Sequence, residues 1–198
     1  MSRILVATNN PGKLIEIQDL LIDLDVELLT PAQLGLDLDV VEDGNTYAEN
    51  AARKALAFLK ASGVITLADD SGLEVDALNG APGLHSARYS TKPGASDADR
   101  RAFLLENLQG KQQPWKARFR CVIALATPGG KLNFSEGICP GEVIAEERGN
   151  NGFGYDPIFF LPELGLTMAE LSREQKNRLS HRARAVIAAR PLIQELLR

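Results

Sequence analysis

The sequence predicts an α/β protein with a mixed central sheet flanked by helices, and three observations predict it. Short apolar runs alternate with amphipathic segments along the chain, the pattern of strands and helices packed in layers. Helical patterns stand near both ends. A hairpin signal stands in the middle, which favours a mixed sheet over a purely parallel one.

The elements follow in order. Residues 4–8 form an apolar run that reads as a buried strand, and 13–24 place Leu14, Ile17, Leu21 and Leu24 on one helical face. A second strand over 26–30 stops at Pro31. Thr46 and Glu49 have capping-box spacing, and the alanine-rich helix after them runs to Gly63. Residues 64–68 are a short β-branched strand leading into Asp69-Asp70-Ser71-Gly72, a sequence with good turn chemistry. Leu73, Val75 and Ala77 then alternate with acidic residues up to an Asn79-Gly80 turn. Ser96 and Asp99 cap a helix that ends before Gly110. Residues 116–127 alternate as a strand, Pro128-Gly129-Gly130 turns the chain, and 132–136 return as the second arm of a hairpin. A glycine- and asparagine-rich loop, 149–154, feeds a strand over 157–161. The helical region from Thr167 onward is expected to break near Ser180 and again at Pro191.

Composition narrows the functional classes. At 198 residues, with 44% hydrophobic and 24% charged, the chain is large enough to bury a core without disulfides or a structural metal. We therefore expect one domain over residues 1–198. The formal net charge of −4 argues against a long nucleic-acid groove, since backbone binding wants a basic excess. A small anionic ligand then needs a local basic cluster or a metal ion. Cys121 and Cys139 form no metal-ligand pattern with the two histidines and fit a reducing compartment. The apolar run at the N-terminus is too short for a signal peptide, and no stretch reaches membrane length. The expectation is a cytoplasmic protein with neither a membrane nor a nucleic acid as partner.

Four segments carry chemistry, each with a plainer alternative. Thr8-Asn9-Asn10-Pro11-Gly12-Lys13 joins a strand to a helix, whose unpaired N–H groups and positive dipole end suit a phosphate; it is not a Walker A loop and also reads as an ordinary capped turn. Asp69 and Asp70 could hold Mg²⁺ or take a proton from water, or simply shape a turn. In Gly152-Phe153-Gly154-Tyr155-Asp156, Phe153 and Tyr155 could present an aromatic face to a base and Asp156 could accept its hydrogen bonds, or the rings could pack on the core. His181 and Arg182 fall in the first turn of the last helix, where a cation is disfavoured and a ligand is hinted at, unless the run is a solvated basic face. Glu42 and Asp43 form an acidic loop before the capping signal, and Lys54 lies on the polar face of the helix after it. His85 reads as structural or peripheral, and the single tryptophan, Trp115, as a packing residue.

Together these segments resemble the inosine/xanthosine triphosphate pyrophosphatase family. The resemblance rests on Thr8-x-Asn10-x-Gly12-Lys13, on Ala68-Asp69-Asp70-Ser71-Gly72-Leu73 with Gly83-Leu84-His85-Ser86-Ala87-Arg88-Tyr89, on Phe153-Gly154-Tyr155-Asp156-Pro157-Ile158-Phe159, and on Met168-Ala169-Glu170-Leu171 through Lys176 to Ser180-His181-Arg182. It covers nearly the whole chain, in order. It implies hydrolysis of deaminated purine nucleoside triphosphates (ITP, dITP, XTP) to monophosphate and pyrophosphate, with Mg²⁺ as cofactor. It implies an elongated mixed sheet, two lobes with a cleft between them, and a homodimer. Residue by residue, it implies Asp70 as proton acceptor and metal ligand, with Asp69 beside it and Glu42 as a further metal ligand. Thr8, Asn9, Asn10, Pro11, Gly12, Lys13 and Lys54 would surround the phosphates, and Ser71 would touch the substrate. Phe153, Gly154, Tyr155, Asp156, Lys176, His181 and Arg182 would line the nucleoside. Two rivals stand beside this reading: a pyrophosphatase of the septum-inhibitor type acting on other modified nucleotides, and a nucleotide sensor without turnover.

Overall fold

A computed structural model describes residues 2–196. Seven strands form one sheet in the order β2-β1-β3-β4-β5-β6-β7. They are β1 (Ser2–Val6), β2 (Val26–Leu29), β3 (Ile65–Val75), β4 (Trp115–Ala126), β5 (Leu132–Val143), β6 (Phe159–Leu161) and β7 (Leu166–Thr167). The helices are α1 (Pro11–Leu21), α2 (Tyr47–Ser62), α3 (Asp97–Leu108), α4 (Arg173–Leu179) and α5 (His181–Leu196). β1 is parallel to β2 and to β3, whereas β6 is antiparallel to β5 and β7, so the sheet is mixed as expected.

The chain divides into two compact units. The first comprises residues up to Asp70, Cys121–Gly137 and the segment from His181 onward; the second comprises Ser71–Arg120 and Ile138–Ser180. In the first unit Ile4–Val6 of β1 and Thr66–Asp70 of β3 are buried on both faces, as parallel strands covered by helices require. The alternation of β1 divides its side chains: Ile4 and Val6 pack with Ile17 and Leu21 of α1 and Val186 and Ile193 of α5, whereas Leu5 and Ala7 pack with Ala51, Ala55 and Phe58 of α2. The second unit has its own core, in which Leu73, Leu104, Leu108, Trp115, Phe119, Phe159 and Met168 cluster and the Phe119 and Phe159 rings lie 4.4 Å apart.

The structure departs from the sequence reading at several points, each with a physical cause. The expected turn at Asp69-Asp70-Ser71-Gly72 is the middle of β3, which runs unbroken for 11 residues. Turn chemistry needs an Asp side chain to bond its own neighbouring backbone; here Asp69 bonds Lys13 and Asp70 bonds Asn50, and β3 sits between β1 and β4. Ala77 lies in a 3-10 turn, Asp76–Leu78, and not in a strand. The Thr46 cap forms, with its hydroxyl accepting from Glu49 N–H at 3.1 Å, but Glu49 reaches back to Asn45 N–H and not to Thr46. The Ser96–Asp99 capping box is complete. β5 extends to Val143, and residues 156–158 are a 3-10 turn before β6. α5 does not break at Pro191. Proline removes one hydrogen bond, to the carbonyl four residues back; both Pro191 and Ile187 lie on the exposed side, where water can satisfy that carbonyl.

Candidate active site

In the first unit the chemistry gathers around the middle of β3. Successive side chains of a strand leave opposite faces, and the adjacent aspartates do so. Asp69 meets Lys13 Nζ at 2.9 Å and Arg182 Nε at 3.3 Å, with the buried Cys121 thiol at 4.0 Å. Asp70 accepts from Asn50 Nδ2 of α2 at 3.0 Å. The two carboxylates therefore have different work, which a motif reading as a pair conceals.

Their electrostatics differ accordingly. Burial works against the charge on Asp69, but Lys13, Arg182 and Lys54 hold its carboxyl well below the ordinary range. Asp70 moves the other way: burial is the largest cause, Glu42 adds to it, and Asn50, Lys13 and Lys54 only partly offset them. Lys54 pairs with Glu42, and although burial alone would lower its pKa, Asp69 and Glu42 raise it. The local set holds three cations (Lys13, Lys54, Arg182) against four anions (Glu16, Glu42, Asp69, Asp70). Asp70 and Glu42 bring hard oxygens whose like charges act on one another, and a divalent cation would relieve that repulsion. Asp70 and Glu42 are the two carboxylates that could hold Mg²⁺; among the described residues no group of three or more His, Cys, Asp or Glu gathers as a metal site. Asp69, already bonded to two cations, fits the ion less well.

The loop before α1 is held by its own side chains and leaves the helix end open. Thr8 Oγ accepts from Asn10 N–H and Asn10 Oδ1 accepts from Lys13 N–H, each at 3.1 Å. Pro11 occupies the first turn, no acidic side chain lies there, and Asn9 and Pro11 are exposed. Gly12 and the positive end of the helix thus face no competing carboxylate from that turn.

His181 and Arg182 open α5, as expected, and both are buried. The unfavourable cation in the first turn has a partner in the protein itself: Arg182, 1% exposed, bonds Glu16 of α1 as well as Asp69. Burial opposes its charge, but the Asp69 and Glu16 carboxylates more than restore it, so its pKa lies above the ordinary value.

The second unit brings together Phe153, Asp156 and Lys176. Asp156 Oδ2 accepts from Phe153 N–H at 2.9 Å and from Lys176 Nζ at 2.6 Å, and that ammonium stands 4.9 Å from the Phe153 ring centroid. Gly152 makes this approach possible: at φ +76°, a Cβ there would lie 2.0 Å from Asp156 Oδ2. Tyr155 is not part of an exposed aromatic face. Its ring is in the core, 5% exposed, and its hydroxyl donates to Ser86 C=O at 2.9 Å. Phe153 is half-buried and can present a ring; Gly154 follows it with its N–H bonded to Asp97. Ser71 is half-buried in β3, Trp115 packs in the core as expected, and His85 is exposed with Nδ1 accepting from Arg88.

Sequence reasoning missed four residues. Asn50, 1% exposed, bonds Asp70 and also accepts from Gly44 N–H at 2.8 Å, tying the acidic loop to the strand. Its signal was a polar residue on the apolar stripe of Tyr47, Ala51, Ala55 and Phe58; Lys54, four residues on, borders that stripe and is not on the outer polar face. Glu16 likewise sits among the buried residues Ile17, Leu20 and Leu21 of α1. Asp97 and Arg101 of α3 carried no signal for their bonds to Gly154, which lies 57 and 53 residues away.

Comparison with known proteins shows the family of the chain. A family model described as the Ham1 family matches residues 4–192. A dITP/XTP pyrophosphatase of Desulforamulus reducens is 46% identical over 98% of this chain and 96% of its own length. One from Listeria monocytogenes is 46% identical over 94% of this chain and 92% of its own. Among solved structures, a HAM1 protein from Coxiella burnetii superposes with a TM-score of 0.89 at 40% identity, covering 98% of this chain and 100% of that one. The Ham1 protein of Staphylococcus aureus gives 0.84 at 41% identity, covering 99% and 98%. Aligned along almost its entire length with relatives of this identity, the chain belongs to the Ham1 family.

Proposed function

We propose that this chain hydrolyses deaminated purine nucleoside triphosphates, dITP, ITP and XTP, to the monophosphate and pyrophosphate, so keeping them out of DNA and RNA. Full-length relatives named dITP/XTP pyrophosphatase supply the substrate class. The observation that carries the chemistry is the placement of Asp70: a buried carboxyl bonded by Asn50 and set beside Glu42 and Lys54. A carboxylate held in that way can take a proton from water attacking the α-phosphorus.

The roles of the other residues follow. Lys13 and Lys54 each rest on a carboxylate, and an ammonium has three donors, so each keeps donors for phosphate oxygens. Residues 8–13 add the end of α1. Asp70 and Glu42 would hold Mg²⁺, which when bound neutralises phosphate charge and aligns the leaving pyrophosphate. Asp69, the neighbour on the other face, holds Lys13 and Arg182 in place. In the second unit, Phe153 offers a stacking face, and Asp156 and Lys176 offer polar groups beside it; Ser71 and His181 are assigned to the substrate as well. We also propose a homodimer, on the family resemblance alone, and a cytoplasmic location, in keeping with the two buried free cysteines. Among the described residues no helix is long and apolar enough to cross a membrane.

Pyrophosphate release from dITP with added Mg²⁺, and again with EDTA in excess, tests the proposal. Activity that survives chelation sinks the metal assignment alone. Release of single phosphates in place of pyrophosphate sinks the reaction.

A further inference from the structure

The 149–156 loop is held from its own side by Asn151, whose Nδ2 donates to Leu171 C=O at 3.0 Å, and by Asp156. At Gly154 it is held by α3, a helix to which the reaction assigns nothing. Gly154 N–H donates to Asp97 Oδ2 at 2.8 Å, and Arg101 Nη1 donates to Gly154 C=O at 2.8 Å. Asp97 and Arg101 are one helical turn apart, so the helix presents an acceptor and a donor to the two peptide groups that flank a single Cα. Each gripping side chain is itself fixed. Arg100 bonds the other oxygen of Asp97 and anchors its own Nη1 on Ala95 C=O at 2.7 Å. Arg101 forks onto Glu147 with two bonds of 2.8 Å.

The grip acts at a glycine with open space around it. Gly154 has φ +62°, and a Cβ there would meet nothing within 4 Å, so nothing but conformation requires the glycine. This one residue sets which neighbour faces inward. Tyr155 enters the core, and Phe153 stays half-buried over the Lys176 ammonium. A partly exposed Arg–Glu fork adds little to stability; paired with a backbone carbonyl it fixes a geometry.

We propose that Asp97 and Arg101 are positioning residues for base recognition: by gripping both peptide groups of Gly154 they hold Phe153 as the stacking face for the substrate's base. The inference rests on the reading of this loop as the nucleoside site. Released, the permissive glycine lets the ring turn away, and the contribution of stacking is lost from binding and not from the phosphoryl chemistry.

The test is steady-state kinetics with dITP, together with the inhibition constant of inorganic tripolyphosphate, a probe without a base. In Asp97→Ala and Arg101→Ala, KM for dITP is expected to rise roughly tenfold, the weight of one to two hydrogen bonds, with kcat within about threefold of wild type. The tripolyphosphate constant stays within about twofold. Asp97→Asn, which keeps an acceptor for Gly154 N–H, recovers much of the loss; Arg101→Lys, which keeps one donor without the fork, recovers less. Glu147→Gln, at an exposed site, gives a smaller rise in the same direction and covers the case in which an alanine variant does not fold. An unchanged KM in the alanine variants, or in Glu147→Gln if those are unfolded, overturns the proposal. So does a tripolyphosphate constant that worsens in step with KM, which marks general damage. A wild type that does not hydrolyse dITP overturns the proposed function instead, before any variant is compared.

Discussion

Arg182→Ala is expected to be a stability mutation before it is a specificity mutation. The guanidinium is 2% exposed as a side chain and bonds two carboxylates, Asp69 at 1% and Glu16 at 11% exposure. Truncating one partner of a buried ion pair costs about 3–5 kcal/mol, because a charge is left without compensation. Here the two anions do not suffer equally. Asp69 keeps Lys13 at 2.9 Å, whereas the bond from Glu16 to Arg182 is removed outright. The lower end, about 3 kcal/mol, is therefore expected, a fall in Tm of roughly 6–12 °C for a chain of this size. Adding Glu16→Gln removes the charge that Arg182 had compensated, and the double variant should regain part of the loss, a coupling that independent sites would not show. Urea denaturation at pH 7 on wild type, both single variants and the double measures it. A loss below about 1 kcal/mol for Arg182→Ala, the scale of a surface pair, would refute the reasoning. So would strict additivity. The same variant also tests the role at the base expected from the family resemblance: if Arg182 chiefly reads the purine, the dITP to dATP ratio of kcat/KM collapses while Tm hardly moves.

Three further outcomes are expected. Asp70→Asn should lower kcat by at least ~10²-fold, the usual worth of a general base, while Tm changes little because the amide oxygen can still accept from Asn50; pyrophosphate release and thermal melting check both halves. Gly152→Ala should separate Lys176 from Asp156, since its Cβ falls 2.0 Å from the carboxylate oxygen, and should raise KM for dITP more than it lowers kcat. The Tyr155 phenol is raised above its ordinary 10.0 mainly by burial. Its contribution to stability is therefore complete below pH 10 and lost as the pH rises through the folded value, so Tyr155→Phe should show a shallower alkaline fall in the urea midpoint than wild type.

Much of the architecture was legible because it is periodic. The runs of β1, β2 and β4, the α1 stripe and the Ser96–Asp99 cap are local patterns, and the structure keeps them. The errors lie where local propensity does not decide the outcome. Asp-Asp-Ser-Gly has turn propensity, yet β3 continues through it because both carboxylates have partners on helices. Pro191 is a breaker by propensity, yet α5 runs on with its lost hydrogen bond on the exposed side. β7, two residues long, has no period to read. At the site, motif residues were found by residue type, but their division of labour was not. Only the structure separates Asp69 from Asp70, or sends Tyr155 into the core while Phe153 stays half-buried. Residues whose partners are distant in sequence, such as Arg101, leave no trace in a single sequence.

The central claim is that a deaminated base selects the substrate and Asp70 drives release of pyrophosphate from it. The most direct measurement is the initial rate of pyrophosphate release from dITP and from dATP, at equal subsaturating concentration with Mg²⁺, for wild type and Asp70→Asn. Wild type should turn over dITP at least ~10²-fold faster than dATP, within what hydrogen-bonded recognition of a base can deliver, and Asp70→Asn should lose both rates. Equal wild-type rates on the two nucleotides, or a variant that retains more than about a tenth of the dITP rate where a general base is worth at least ~10²-fold, would contradict the account.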